Sequence, residues 1–240
     1  MRIIMSNERK VAIITGASQG IGAALVKGFR DRNYRVVATS RSIKQTGDHD
    51  ILAVPGDIAD PATAETVIRE ALARFGAHRH AGQQCRHLHR QALHRLHGRR
   101  FRSQDRDQSR RFFHITQQAA SAMLKQGSGH IVSITTSLTD HAIAGVPTVL
   151  ANLTKGGINA ATKALAIEYA TQGIRVNAVS PGVIKTPMHA PQTHEFLANL
   201  HPVKRMGEIR DIVDAVLFLE SAGFVTGEIL HVDGGQSAGH

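Results

Sequence analysis

Three glycines lie close together near the start of the chain, in the stretch Thr15-Gly16-Ala17-Ser18-Gln19-Gly20-Ile21-Gly22. An apolar run precedes this stretch, and apolar residues at helical spacing follow it. In a strand–turn–helix of this kind, Gly16 permits the tight turn, Gly20 lets the backbone approach a pyrophosphate, and Gly22 allows close packing of helix on strand. Free N–H groups at the helix N-terminus then bind the phosphate oxygens. The stretch predicts a dinucleotide-binding turn, and an ordinary glycine-rich turn is the alternative.

The end of the second predicted strand indicates which dinucleotide would bind. Sites for NAD usually carry an Asp or Glu there, which bonds the ribose 2′-hydroxyl. The stretch Ala38-Thr39-Ser40-Arg41-Ser42 contains no acid. A guanidinium such as that of Arg41 can instead hold a 2′-phosphate through a forked, charge-assisted contact. We therefore expect NADP(H) to be favoured at Ser40 and Arg41, with NAD(H) and a merely solvated Arg41 as the alternatives.

Short apolar runs alternate with amphipathic helices along the chain. The predicted strands are Lys10–Thr15, Arg35–Thr39, Ile51–Val54, His130–Ile134, Arg175–Val179 and Ile229–Val232. The predicted helices are one that starts at Pro61, and Phe112–Lys125, Ala151–Ala170 and Ile209–Leu219. Strands as apolar as these, separated by amphipathic helices, indicate a parallel sheet covered on both faces. Residues 1–240 are therefore predicted to form one doubly wound α/β domain.

The composition excludes several classes of protein. Of the 240 residues, 42% are hydrophobic, which is enough for a sizeable core. The single cysteine, Cys85, excludes a disulfide framework or a cysteine-based zinc site and suits a cytoplasmic protein. No apolar run approaches the length of a membrane span, and Met1–Lys10 lacks a signal-peptide core. The net charge is +10, but residues 77–111 contain ten Arg and only two Asp, so the basic character belongs to one segment.

With its TGxxxGIG spacing the chain resembles the short-chain dehydrogenase/reductase family, and further stretches agree at the right distances. These are Gly56-Asp57-Ile58, Lys155 at the start of a long helix, Asn177–Thr186, His201–Gly207 and Thr226–Gly235. The resemblance covers about residues 10–236 apart from the segment 77–111. It implies a Rossmann-type sheet of seven parallel strands and an oxidoreductase that acts on a small carbonyl or alcohol substrate with a nicotinamide cofactor. It also implies a homotetramer or homodimer. From the apolar runs and the aperiodic His residues we expect neither a membrane nor a metal site.

The resemblance assigns roles to individual residues. Asp57 looks like the family's adenine-contacting Asp, the ammonium of Lys155 would bond the nicotinamide ribose, and the segment Asn177–Thr186 would close over the nicotinamide. Together with the residues argued from their own chemistry above, the full set of expected cofactor residues is Gly16, Ser18, Gln19, Gly20, Ile21, Gly22, Ser40, Arg41, Asp57, Ile58, Lys155, Pro181, Gly182, Val183, Ile184 and Thr186.

The family's catalytic tyrosine is missing from this chain. Family members transfer a proton through a Tyr placed four residues before the Lys, and that position is Ala151. Tyr34 lies at the wrong edge of the sheet, and Tyr169 lies about 21 Å beyond Lys155 along the same helix at 1.5 Å per residue. The enzyme interpretation therefore has an alternative, a cofactor-binding protein with weak or lost catalysis that acts as a sensor or scaffold.

A hydroxyl that would hold the substrate oxygen is expected just after the strand His130–Ile134. Counting from Gly129 places Thr136 at the family's serine site, with Ser137 next to it. The alternative is that both hydroxyls only complete hydrogen bonds at the end of the strand.

Residues 77–111 interrupt the resemblance. The family's fourth strand, its N-N-A-G turn and the helix with its active-site Asn cannot be read there, and Gln108 stands in place of that Asn. A nucleic-acid-binding insertion, a His-rich metal tract and a reading-frame error are the three explanations. With suitable codons for Gln83-Gln84-Cys85-Arg86-His87, reading one base later gives N-N-A-G-I. With wobble bases chosen in the same way, the whole segment can be read as a family-like stretch of equal length. We therefore favour a compensated frameshift, so the basic segment indicates neither nucleic-acid nor metal binding.

If the frameshift hypothesis is right, the intact mass of the protein expressed from its own gene should fit the shifted reading of residues 77–111 rather than the printed one. Resequencing codons 75–113 checks the same point on the gene. Well-resolved density for the printed Arg and His side chains, in sensible contacts, would contradict the hypothesis.

Overall fold

The computed structural model describes residues 9–76, 80–84 and 98–239, with side chains described in 9–76 and 108–239. Its strands are β1 (Val11–Thr15), β2 (Arg35–Ser40), β3 (Ile51–Pro55), β4 (His80–Gln84), β5 (Gly129–Ile134), β6 (Ile174–Pro181) and β7 (Ile229–Val232). Its α-helices are α1 (Gly20–Arg30), α2 (Pro61–Phe75), α3 (Gly98–Gln126), α4 (Val149–Tyr169), α5 (His194–Asn199) and α6 (Ile209–Ser221). No helix of the described part is long and apolar enough to cross a bilayer.

The seven strands form one sheet in the order β3-β2-β1-β4-β5-β6-β7, and every neighbouring pair is parallel. The strand order therefore reverses at β1, which pairs with β2 on one side and with β4 on the other. The predicted doubly wound, seven-stranded Rossmann-type α/β fold is confirmed.

Alternate side chains of β1 enter two separate cores. Val11 and Ile13 pack on one face of the sheet with residues of α2 and α3, whereas Ala12 and Ile14 pack on the other face with residues of α1 and α6. All five residues of β1 are buried, as a strand covered on both sides requires. This explains why the residues Val11–Ile14 are all apolar instead of alternating with polar residues.

The structure corrects one sequence-based expectation, that no strand can be read in the segment 77–111. β4 lies between β1 and β5, with Ala12 in register with His80 and Ala81 with Ile131. Backbone hydrogen bonds from two flanking strands do not depend on side-chain type, so tertiary context outweighs a weak local signal. Cys85 and the other residues at 77–79 and 85–97 lie outside the described residues.

Helix α3 also begins earlier than predicted, at Gly98 instead of Phe112. The added turns are rich in Arg and Gln, which are good helix formers, and contain no proline. Because these turns lack apolar periodicity, the sequence pattern did not predict this part of the helix. The frameshift hypothesis concerns the gene and stays a prediction.

Candidate active site

The glycine-rich turn joins β1 to α1 at the carboxyl end of the sheet. Gly16 and Gly20 have φ angles of 65° and 56°, in the left-handed region that residues with a side chain rarely adopt. Helix α1 starts at Gly20, and the side chain of Gln19 does not cap it. The first turn of α1 therefore offers backbone N–H groups and a partial positive charge to an anion, without a capping side chain in competition.

A cavity of about 180 Å³ extends from this turn across the ends of β2 and β3. The predicted cofactor residues that line it are Gly16, Ser18, Gln19, Ser40, Arg41, Asp57 and Ile58. Residues predicted from three separate stretches are thus brought to one site. Gly22 lies buried within α1, which agrees with the packing role expected for it.

Arg111 lines the same cavity and pairs with Asp57. Its Nε and an Nη donate to the two carboxylate oxygens of Asp57 at 3.2 and 3.3 Å. Burial raises the pKa of Asp57, but the hydrogen bond from the Ala59 N–H and the contact with Arg111 outweigh burial and hold this pKa below its ordinary value. Asp57 is therefore an ionised carboxylate whose charge is balanced by Arg111, and Arg41 adds a second guanidinium at the cavity.

The sequence pattern did not identify Arg111, because it is the last residue of the segment 77–111. Its position depends on how α3 packs beside the end of β3, which no local pattern contains. The Arg111–Asp57 pair is a product of tertiary structure.

A larger cavity of about 360 Å³ adjoins the first, and Gln19 lines both. The predicted residues that line it are Gln19, Gly20, Ile21, Thr136, Lys155, Pro181, Gly182, Val183, Ile184 and Thr186. The two cavities together follow the carboxyl ends of β3, β2, β1, β5 and β6. Ligands of parallel α/β sheets bind at this edge, where the strand order reverses.

Lys155 is buried at the end of β5. Its ammonium donates hydrogen bonds of 3.1 Å to the carbonyl oxygens of Ile134 and Thr135. Ala151 lies one turn earlier on α4 and is buried, so the position of the family's tyrosine holds a methyl group. The chain's two tyrosines lie elsewhere, with Tyr34 donating to Glu220 at 2.6 Å and Tyr169 at the far end of α4.

The two candidate hydroxyls differ in their surroundings. Thr136 lines the larger cavity, and its Oγ1 accepts a long hydrogen bond of 3.5 Å from the Leu138 N–H. Ser137 is fully buried, and its Oγ donates to Oε1 of Gln236 at 2.5 Å. Because the Gln236 amide nitrogen donates to the Leu200 carbonyl oxygen at 3.2 Å, its oxygen must face Ser137. This arrangement favours Thr136 as the hydroxyl that can meet a substrate, and it gives Ser137 a structural task.

Three further residues at the site were missed or only partly anticipated. Gln236 and His189 line the larger cavity, although the stretches that contain them carry no readable chemical pattern. Gln108 is buried beside α4, where its Oε1 accepts a hydrogen bond of 3.2 Å from the hydroxyl of Thr154. Among the described residues that line the larger cavity, Lys155 and His189 are the ones with ionisable side chains.

Comparisons with known proteins agree with this geometry. Residues 16–237 match a family model described as enoyl-(acyl carrier protein) reductase. The chain is 31% identical to the 3-oxoacyl-(acyl-carrier-protein) reductase FabG of Salmonella typhimurium over 97% of this chain and 99% of that protein. A structure of ElxO with NADP bound matches with a TM-score of 0.89 at 25% identity, over 96% of this chain and 100% of that one. The 3-ketoacyl-(acyl-carrier-protein) reductase of Brucella melitensis, complexed with NADH, matches with a TM-score of 0.88 at 29% identity, over 96% and 99%.

Loss of the Ser137 hydroxyl and loss of the Thr136 hydroxyl should change the free energy of unfolding by different amounts. Replacing Ser137 by Ala leaves the buried Oε1 of Gln236 without its donor, which should lower the free energy of unfolding by about 1–3 kcal/mol. Replacing Thr136 by Ala removes a weaker contact at the cavity wall and should cost less. Urea unfolding of both variants measures the difference, and equal losses would contradict the separate roles assigned to the two hydroxyls.

Proposed function

This chain belongs to the short-chain dehydrogenase/reductase family, and on that premise we propose that it is an NADP(H)-dependent oxidoreductase for a small carbonyl or alcohol substrate. The observation that carries the proposal is the crevice formed by the two cavities, in which the glycine turn, Arg41, Lys155 and Thr136 come together along one edge of the sheet.

The residues present fit a nicotinamide dinucleotide. Gly16 and Gly20 leave room for a pyrophosphate against the uncapped first turn of α1. Ser18, Ile58 and Asp57 lie where the adenosine half would extend. The cavity at Pro181–Ile184 would take the nicotinamide half. The bound cofactor would supply or accept the hydride, and the protein would bind, orient and exclude water.

The charges in the smaller cavity favour a 2′-phosphorylated cofactor. Arg41 is exposed at the cavity, and Ser40 precedes it at the end of β2. The only carboxylate among the described lining residues, that of Asp57, is already neutralised by Arg111. A 2′-phosphate would therefore meet uncompensated positive charge there. Both forms of the cofactor are bound in structures of similar proteins, NADP in ElxO and NADH in the Brucella enzyme.

In the larger cavity, Lys155 would orient the cofactor ribose, and the Thr136 hydroxyl would hold the substrate oxygen. The buried methyl of Ala151 cannot donate a proton, so general acid catalysis by the usual group is absent. This observation keeps a second candidate, a cofactor-binding sensor or scaffold with weak catalysis. An oxidoreductase would turn over substrate faster than a sensor or scaffold would, whereas both would bind the cofactor.

Exposed apolar side chains support the proposal of a homodimer or homotetramer. On α3 and α4 these include Phe113, Leu153 and Ile167, of which Ile167 is 80% exposed. Apolar residues on two long helices that have solvent on one side are candidates for burial against a second copy of the chain.

Arg41→Asp should narrow or reverse the cofactor preference. A carboxylate would repel a 2′-phosphate and could bond a 2′-hydroxyl, so affinity for NADPH should fall by roughly ten- to a hundredfold relative to NADH. Fluorescence titration with each cofactor measures the ratio. Arg210→Asp is the charge-matched control, since Arg210 lies on α6 and pairs with Asp214 outside both cavities. Equal affinities of the unmutated protein for the two cofactors would count against the role of Arg41.

Ala151→Tyr should raise the turnover of simple aldehydes and ketones, by up to about 10²–10⁴-fold if a general acid is what the site lacks. Ala151→Phe fills similar space without the hydroxyl and is the matched control. Steady-state oxidation of NADPH follows both variants, and Thr136→Ala placed in the Ala151→Tyr protein should reduce the gain. If the unmutated protein already turns over at rates usual for an efficient enzyme and Ala151→Tyr changes nothing, another group supplies the proton.

A further inference from the structure

His201 lies beneath the loop Pro181–Ile184 that forms one wall of the larger cavity. It follows helix α5 and is 1% exposed. Its Nε2 accepts a hydrogen bond of 2.9 Å from the N–H of Val183. Its Nδ1 lies 3.4 Å from the carbonyl oxygen of Ala198. The imidazole thus bridges the loop to the end of α5.

These two contacts determine the form of the imidazole. Since the Val183 N–H can only donate, Nε2 must be an unprotonated acceptor, and the ring proton lies on Nδ1, directed at Ala198. A doubly protonated ring would set two N–H groups against each other at Val183. His201 can therefore hold the loop only while it is neutral.

The surroundings of His201 favour this neutral form. Burial lowers the pKa of His201, and the charge of Arg205 lowers it further, while backbone contacts at Ala198 and Leu197 and the charge of Asp233 oppose the change without reversing it. The other titratable groups around the cavity behind the loop are Asp211, Asp214 and His231. Of these, Asp211 bonds Arg205, Asp214 bonds Arg210, and His231 bonds Asp140.

The loop and the ring are packed tightly together. A Cβ at Gly182 would lie 2.7 Å from His201 Nε2 and 3.0 Å from the Cα of Asp233, so a glycine is required for the ring to reach Val183. The hydrogen bond between Val183 and His201 therefore depends on a glycine at position 182 and on the buried ring of His201.

Among the described residues, the backbone N–H groups on either side of Val183 and Ile184 donate hydrogen bonds within the protein. Gly182 donates to Val232 and Lys185 donates to Gly207. Within the described residues, no hydrogen bond uses the N–H of Ile184, a residue that lines the cavity. With its neighbours fixed to the protein, this N–H is the donor that the loop can offer to a ligand.

We propose that His201 is a positioning residue that fixes the loop through Val183 and so presents the Ile184 N–H to a hydrogen-bond acceptor on the bound cofactor. The inference rests on the proposed function for the cofactor, but the hold of His201 on Val183 is a property of the protein alone. It also makes cofactor affinity depend on the protonation of a group that does not touch the cofactor.

Two variants and one control test the first half of the proposal on the cofactor-free protein. His201→Leu removes the acceptor, whereas His201→Gln can restore it through its side-chain oxygen. Hydrogen exchange of the peptide that contains Val183 should be about tenfold faster in His201→Leu and close to the unmutated rate in His201→Gln. His231→Gln, which alters a partly exposed histidine of the same cavity, should leave this exchange unchanged. Unchanged exchange in His201→Leu would overturn the proposal.

The second half is tested by titration with NADPH. Affinity should fall by about tenfold in His201→Leu and be largely restored in His201→Gln. In the unmutated protein, affinity should be full above the ordinary histidine pKa of 6.5 and should fall as the pH drops through the lower pKa of folded His201, a step that His201→Gln should lack. The same step in both proteins would overturn the proposal. If the unmutated protein binds neither NADPH nor NADH, the proposed function fails, and hydrogen exchange at Val183 still decides the role of His201.

If His201→Leu does not fold, His201→Gln and the unmutated protein still decide the outcome. The step in hydrogen exchange at Val183 on acidification, after correction for the intrinsic pH dependence of exchange, should then be present in the unmutated protein and absent from His201→Gln. Its presence in both would overturn the proposal.

Discussion

The parallel pairing of β1 with β2 on one side and β4 on the other is the constraint on which the site depends. Because the strand order reverses at β1, the connections that leave β1 and β4 pass to opposite faces of the sheet, and a gap remains at the carboxyl edge between them. Gly16 begins the turn at this gap, and its left-handed backbone sends the chain into α1 without covering it. The residues assigned to the site, from Arg41 to Lys155, all lie along this edge of the sheet.

Sequence reasoning recovered the parts of the molecule that local patterns encode. The apolar runs of β1, β2 and β5 and the glycines of the turn have direct physical signatures, so the fold class and the glycine turn followed from them. Other lining residues, such as Asp57 and Lys155, were expected only from the family resemblance. β4 and the start of α3 did not, because their residues lack the apolar periodicity that identifies a strand or a helix. The Arg111–Asp57 pair and the Ser137–Gln236 contact join residues distant along the chain, and no periodicity reports such contacts. The choice between Thr136 and Ser137 likewise required knowing which hydroxyl faces the cavity.

The charged side chains at the smaller and at the larger cavity are stabilised in different ways. At the smaller cavity, the carboxylate of Asp57 is matched by Arg111, so the exposed guanidinium of Arg41 is left to act on a ligand. At the larger cavity, the buried ammonium of Lys155 is held by two backbone carbonyl oxygens at the end of β5. These carbonyl dipoles stabilise the charge and keep Lys155 in place, although no tyrosine lies one turn before it.

The parallel sheet also governs how the chain must reach its folded state. Each ladder joins residues separated by a whole crossover, as when Ala12 pairs with His80, so chain entropy is lost before any ladder bond forms. Sheets connected in this way fold slowly compared with structures built from local contacts. Until β4 docks, β1 and β5 expose unpaired edges on which other chains can add. The stretch His80–Gln84 has few of the apolar side chains that usually drive a central strand into place, so the competition between refolding and aggregation centres on the strand beside the crevice.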